Sequence, residues 1–347
     1  MEQSWMPEQD AQPHSEPISL VDPIPSLTDP AAPEGRILLN RFLEKQQFAP
    51  WLTAVVFTIL LFIGFNVIGA VVVVVNILAH TDLAHFQPAS FAKLIEKDVS
   101  GQLVGNTFGQ WLGLGLPVLW LARLHSSQSL QFLRLRGTDI RLIGWALLGW
   151  LCLYPVINLT AMLNQAIPMP QVFKQMDDLR EDFFMNALKN IPLSFLLVAV
   201  ALTPAFCEEL LFRGYVQRQM ERTFKTGTAL IVTGLVFGLY HLTFSQLLPL
   251  SFLGIYLCFV TWKSNSLLPA MVVHWVHNGS ALIMGSYLIH QKNMDLSKAD
   301  QLPGPLYGVI LIALMGMYGF YVVEQKMGKI NGANPLSFFI LNRKDHV

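Results

Sequence analysis

The chain has 347 residues, of which 53% are hydrophobic and only 13% charged, and its formal net charge at neutral pH is zero. A soluble domain carries roughly 25% charged residues, so the composition points away from a soluble enzyme and toward a membrane protein. Without a basic excess there is no strong electrostatic pull on nucleic acid, and none is expected as a partner.

The first 35 residues are rich in Pro, Ser and acids and hold no apolar run of signal-peptide length, so they read as a disordered cytoplasmic tail retained in the mature protein. A spanning helix needs roughly 20 mostly apolar residues to cross a hydrocarbon core of about 30 Å. Eight stretches are candidates: 51–76, 103–122, 142–163, 190–212, 228–246, 247–262, 267–289 and 305–323. Only a turn near Pro249 parts the fifth from the sixth, which leaves seven spans with a re-entrant segment as the alternative. The expected fold is thus an all-α polytopic bundle of about eight transmembrane helices around an intramembrane cavity. The expected organisation is an N-terminal cytoplasmic segment over 1–50, a helical membrane domain over 51–325 and a C-terminal cytoplasmic tail over 326–347.

Cytoplasmic loops are enriched in Lys and Arg. With both termini inside, fifteen of these residues fall on the cytoplasmic side and seven outside, while Arg213 lies within a span. A prokaryotic inner membrane suits this arrangement, with the endoplasmic reticulum as the alternative. Two connecting loops also carry apolar residues at helical intervals. In the longer, from Pro170, residues Val172, Met176, Leu179, Phe183 and Ala187 recur at steps of three or four. They suggest either a helix lying in the membrane interface or a connecting helix packed on the bundle. Cys152, Cys207 and Cys258 fall within spans without a CxxC partner and read as free thiols. His80, His85, His125 and His290 lie near span ends and read as interfacial, and His14 and His346 lie in the tails.

Ionisable residues inside a membrane cost roughly 2.5 to 3.5 kcal/mol each on insertion scales and therefore tend to mark a function. In the fourth span, "EELLFR" sets Glu209 and Arg213 four residues apart on one helix face, where they can neutralise each other. Glu208 points about 100° away from Glu209 and has no partner in the segment. The fifth span contributes "FGLYH", with Phe237 and His241 four apart. The seventh contributes "HWVHN", with His274 and Asn278 four apart and His277 beside Asn278. By helix rise, His274 lies about 10 Å, Glu208 about 15 Å and His241 about 20 Å from the cytoplasmic side, so the three could share a cavity.

A desolvated carboxylate beside an imidazole can deprotonate water as a general base. A second histidine and an asparagine amide are donors suited to an oxyanion. Cys207 diverges from Glu208 around the helix, which makes a thiolate mechanism the weaker idea.

The three segments resemble, in order, the EExxxR, FxxxH and HxxxN motifs of the CPBP family, the intramembrane endopeptidases that process CAAX proteins and bacteriocins. The family includes the type II CAAX prenyl proteases. Each motif alone is weak, but three in order are specific, and the resemblance covers about residues 190–290. It implies a cavity open to membrane and cytoplasm in which a peptide bond is hydrolysed. It gives Glu208 and His241 the activation of water, His274 and Asn278 the oxyanion site, and Glu209, Arg213 and Phe237 a supporting role. It assigns nothing to His277. The implied partners are the bilayer and a peptide or protein substrate, with lipidation left open. Family members have been described both as metalloproteases and as metal-independent glutamate proteases. A zinc site would draw on Glu208, His241 and His274, yet there is no HExxH and the glutamate could not easily serve as ligand and base at once, so no metal is expected to be required. Two rivals are a scaffold that keeps the fold without cleaving and a proton-coupled transporter, which would spread polar residues along a path through both leaflets.

Overall fold

The computed structural model describes residues 37, 39–81, 91–292 and 306–331. The tails over 1–36 and 332–347, with His14 and His346, lie outside the described residues, as does His85. The architecture is helical, without a strand among the described residues. Its main helices are α1 Pro50–His80, α2 at 99–125, α3 Ile140–Gln165, α4 Gln171–Asn190, α5 Leu193–Glu221, α6 Thr226–Tyr240, α7 Leu247–Ser264, α8 Leu268–Lys292 and α9 Leu306–Asn331.

Each of the eight apolar stretches has a helix over it. Among the described residues, five helical segments are both long and apolar enough to cross a bilayer: Pro50–His80, Ile140–Gln165, Leu193–Glu221, Phe244–Ser264 and Gly308–Gly328. The protein is therefore an integral membrane protein, and its exposed large apolar side chains suit a hydrocarbon surround. On α1, Ile59, Leu60, Val67, Val71 and Val75 all stand more than half exposed.

The fifth stretch departs from expectation. Its helix, α6, has 15 residues and stops at Tyr240 rather than running to 246. The chain turns at once through Leu242, whose φ of 49° lies in the left-handed region. A short 3-10 turn, Phe244–Gln246, then leads into α7. Pro249, expected near the turn, lies in the first turn of α7, where a missing N–H costs little. Asn164 at the end of α3 holds the turn from below, since its Nδ2 donates to Phe244 O and its Oδ1 accepts from Leu248 N, both at 2.8 Å.

Close backbone approach sets the layering. α1 packs on α2, α6 on α7 and α3 on α9, while α8 touches both α5 and α3. A Cβ on Gly109 would stand 2.6 Å from Phe65 O, and one on Gly234 would stand 2.5 Å from Ile255 N. Only glycine lets these pairs approach so closely, as at small-residue interfaces between membrane helices.

The end of the bundle where α5 finishes is closed by buried ion pairs. Arg134, just before α3, grips Glu221 through Nη1 at 3.2 Å and Nη2 at 2.9 Å with neither side chain accessible beyond 1%. Glu44, on a short helix ahead of α1, accepts from Arg222 Nη1 at 2.8 Å and Nη2 at 2.6 Å and from His125 Nδ1 at 2.6 Å. The His125 Nε2 in turn faces the Tyr215 hydroxyl at 3.1 Å. His125, expected at an interface, is thus a buried link between the N-terminal segment and α5.

Two outcomes follow from this packing. Gly109→Val should force α1 from α2 and lower stability by about 1–3 kcal/mol, read as a fall in the unfolding midpoint in detergent. For Glu44, burial acts to raise the pKa, but the His125 and Arg222 hydrogen bonds and the Arg222 charge outweigh it and hold the carboxyl below its ordinary value of 4.5. A lowered native pKa stabilises the fold above the unfolded value and loses that effect as pH falls through the native one. Limited proteolysis near residue 45 should therefore stay constant at neutral pH and accelerate only below about pH 4.5, and Glu44→Gln should show the faster cutting at pH 7.

Candidate active site

α5 carries both glutamates at the junction between an ordinary helical segment, Thr203–Glu209, and a wider π-helical turn, Leu210–Val216. Such turns are rare and recur at functional sites, because the extra residue per turn re-aims the side chains that follow. Glu209 is fully buried, and its Oε1 accepts from Arg213 Nη1 at 2.9 Å and from His274 Nδ1 at 2.7 Å. Arg213, equally buried, donates through Nη2 to Gly254 O of α7 at 3.1 Å. One carboxylate thus ties α5 to α8, and its arginine ties α5 to α7.

Phe237 of α6 fills the space between these groups. Its ring lies 4.2 Å beneath the Arg213 guanidinium carbon, within cation–π range. Its centroid is 4.7 Å from that of His241 and 5.9 Å from that of His274. The side chain is inaccessible to solvent and spaces the two imidazoles.

Glu208 has a different environment. It is 6% exposed, and its Oε2 has no hydrogen-bond partner. The nearest cationic or potentially cationic group is His241 Nε2, 3.7 Å from that oxygen. The His241 Nδ1 lies 2.8 Å from Phe237 O, a carbonyl that can only accept, so this nitrogen carries the proton and a neutral ring leaves Nε2 as an acceptor facing the carboxylate.

The two glutamates are divided as the helix geometry implies, but the partners fall differently from the sequence expectation. His274, expected to share a cavity with Glu208, spends its Nδ1 on Glu209. That leaves Nε2 as its free ring nitrogen. Asn278 donates from Nδ2 to Val200 O at 3.2 Å, a carbonyl in the π-helical segment Leu197–Leu202 of α5. His277 accepts at Nδ1 from Trp150 Nε1 at 3.1 Å and packs against α3. Cys207 is buried against α2, with its Sγ 3.0 Å from where a Cβ on Gly115 would stand.

The residues that a zinc ion would need do not converge as three ligands. His274 faces Glu209 rather than Glu208, and no group of three His, Cys, Asp or Glu side chains among the described residues is placed to hold an ion. The site can do acid–base chemistry: the Glu208 Oε2 is unpartnered with an acceptor imidazole nitrogen beside it, and a second imidazole is held by the Oε1 of Glu209, whose own Oε2 is also without a partner.

Sequence reasoning missed the contribution of α4. Arg180 donates from Nη1 to His241 O at 2.6 Å, and Asp177 Oδ2 accepts from Ser245 N at 2.8 Å. Residues 61 and 68 positions apart in the chain carry no spacing signal, and an amphipathic helix gives no sign of what its polar face will meet.

The chain matches no curated protein and no solved structure. Residues 190–280 match the family model of the type II CAAX prenyl endopeptidase, Rce1-like. That segment runs from the end of α4 into α8 and contains both glutamates, Arg213, Phe237, His241, His274 and Asn278. Over those residues the chain is thus similar to the CAAX-type intramembrane endopeptidases.

Proposed function

We propose that the protein hydrolyses a peptide bond within the membrane by direct water attack, with Glu208 and His241 as the general-base pair. The observation that carries this is the buried Glu208 Oε2, unpartnered and 3.7 Å from an imidazole nitrogen whose ring is locked by its other nitrogen. Leaving a carboxylate oxygen unsatisfied in an apolar interior is costly. A water held between Oε2 and Nε2 would satisfy both, and either group could take its proton.

The resulting hydroxide attacks the scissile carbonyl, forming the C–O bond as the carbonyl π pair moves to oxygen. The oxyanion then needs donors. His274 can supply one from Nε2 while Nδ1 donates to Glu209, in the doubly protonated form of the ring. Asn278 Nδ2 has a second hydrogen beyond the one given to Val200 O. Collapse breaks the C–N bond, and the proton taken from water returns to the departing amine. Glu209, Arg213 and Phe237 hold the site without touching the substrate. The family match favours a CAAX-type C-terminal peptide over a bacteriocin leader, and the distribution of Lys and Arg favours cytoplasmic termini.

Purified Glu208→Gln and His241→Ala proteins should fall by about 10²–10⁴-fold in cleavage of a prenylated peptide while melting like the wild type. Undiminished cleavage by both would sink the mechanism. Glu209→Gln should instead unfold, losing about 3–5 kcal/mol, because it leaves Arg213 buried beside a neutral group. Cleavage should also survive exhaustive chelation, and restoration by added zinc after chelation would reverse that part of the reading.

A further inference from the structure

The carbonyl of His241 stands at the end of a helix, where backbone acceptors lose their intrahelical partners. Two donors meet it here: Arg180 Nη1 at 2.6 Å and the Thr243 hydroxyl at 3.1 Å. The next residue, Leu242, is held at φ 49°, a conformation uncommon for a non-glycine residue, and its side chain is 54% exposed, so packing contributes little to holding it there. The Arg180 guanidinium is also a cation at a helix C-terminus, where the peptide dipoles favour positive charge. It arrives from α4, which is anchored on the same turn by Asp177 at Ser245 N and by the Phe173 ring stacked 5.6 Å from Phe244.

We infer that Arg180 is a positioning residue for the reaction: by gripping the His241 carbonyl it stops α6 at that residue and fixes the imidazole against Glu208. This rests on the reading of His241 as part of the general base. The His241 ring has its Nδ1 tied to Phe237 O within the same last turn, so a shift of that turn carries Nε2 away from Glu208 directly. Val172, Met176 and Leu179 of α4 stand exposed. The clasp therefore joins an amphipathic, outward-facing helix to the general base.

The test uses the full-length protein in lipid nanodiscs, with Arg180→Met, Arg180→Lys and Asp177→Ala. Arg180→Met should lower kcat on the order of 10²-fold with KM little changed, since misplacement of a reacting group by about 1 Å costs that much. It should also speed amide exchange over residues 241–245. Arg180→Lys, which keeps a cationic donor, should recover most of the kcat. Asp177→Ala should speed exchange at Ser245 yet keep a kcat well above that of Arg180→Met. A loss in Asp177→Ala equal to that in Arg180→Met, no recovery with lysine, or a change in KM alone would overturn the role. If the wild type cleaves nothing, the proteolytic reading fails on its own. The exchange measurement still decides the clasp, and unchanged exchange in Arg180→Met refutes it.

Discussion

A carboxylate that water cannot reach must find its partners in the protein, and Glu209 is the group to which this applies most strictly. It lies inside an apolar bundle with zero exposure and is balanced by Arg213 one turn on and His274 on another helix. Breaking such a pair by removing one partner is far more costly than forming it is favourable. The cluster therefore constrains geometry more than it adds net stability. Arg213 reaches Gly254 O on α7 and covers the Phe237 ring of α6. Four helices, α5 to α8, are registered against one another through a single ion pair and its ring.

Glu208, one residue earlier, shows what that constraint makes possible. Glu209 cannot move, so its neighbour is held rigidly in a position where one oxygen has no partner. Interiors seldom tolerate an unsatisfied acceptor, and those that persist are over-determined by their surroundings. The π-helical turns on either side of Thr203–Glu209 contribute further. Val200, whose carbonyl accepts from Asn278, lies in one, and Arg213, which donates to Glu209, lies in the other. Wider turns loosen the regular ladder, and side chains from neighbouring helices enter the space created.

Much of the site was legible in order and spacing. The four-residue steps from Glu209 to Arg213, Phe237 to His241 and His274 to Asn278 each put two groups on one face of a helix; the first five of these residues are linked by contacts, while Asn278 donates to Val200 O. The separation of Glu208 from Glu209 also follows from local helix geometry. Less legible was which imidazole meets which carboxylate. His274 lies on Glu209 because α8 approaches α5 on the Arg213 side, and helix rise measures depth along an axis without giving rotation about it. The end of α6 departs from the hydropathy expectation for a related reason. Apolar residues run past Tyr240 into the loop, and hydropathy does not register that Arg180 and Thr243 capture the His241 carbonyl.

The sequence by itself determined that this is a helical membrane protein, where its apolar segments fall, and the order and spacing of the polar residues inside them. Those properties depend on local composition and on contacts three or four residues apart. Only the tertiary structure decided that Glu209 is shared by Arg213 and His274, that Glu208 is left facing His241, and that α4 reaches back to hold the end of α6. These are contacts between residues tens of positions apart, and they exist because buried charges and carbonyls take whatever donors helix packing brings within reach.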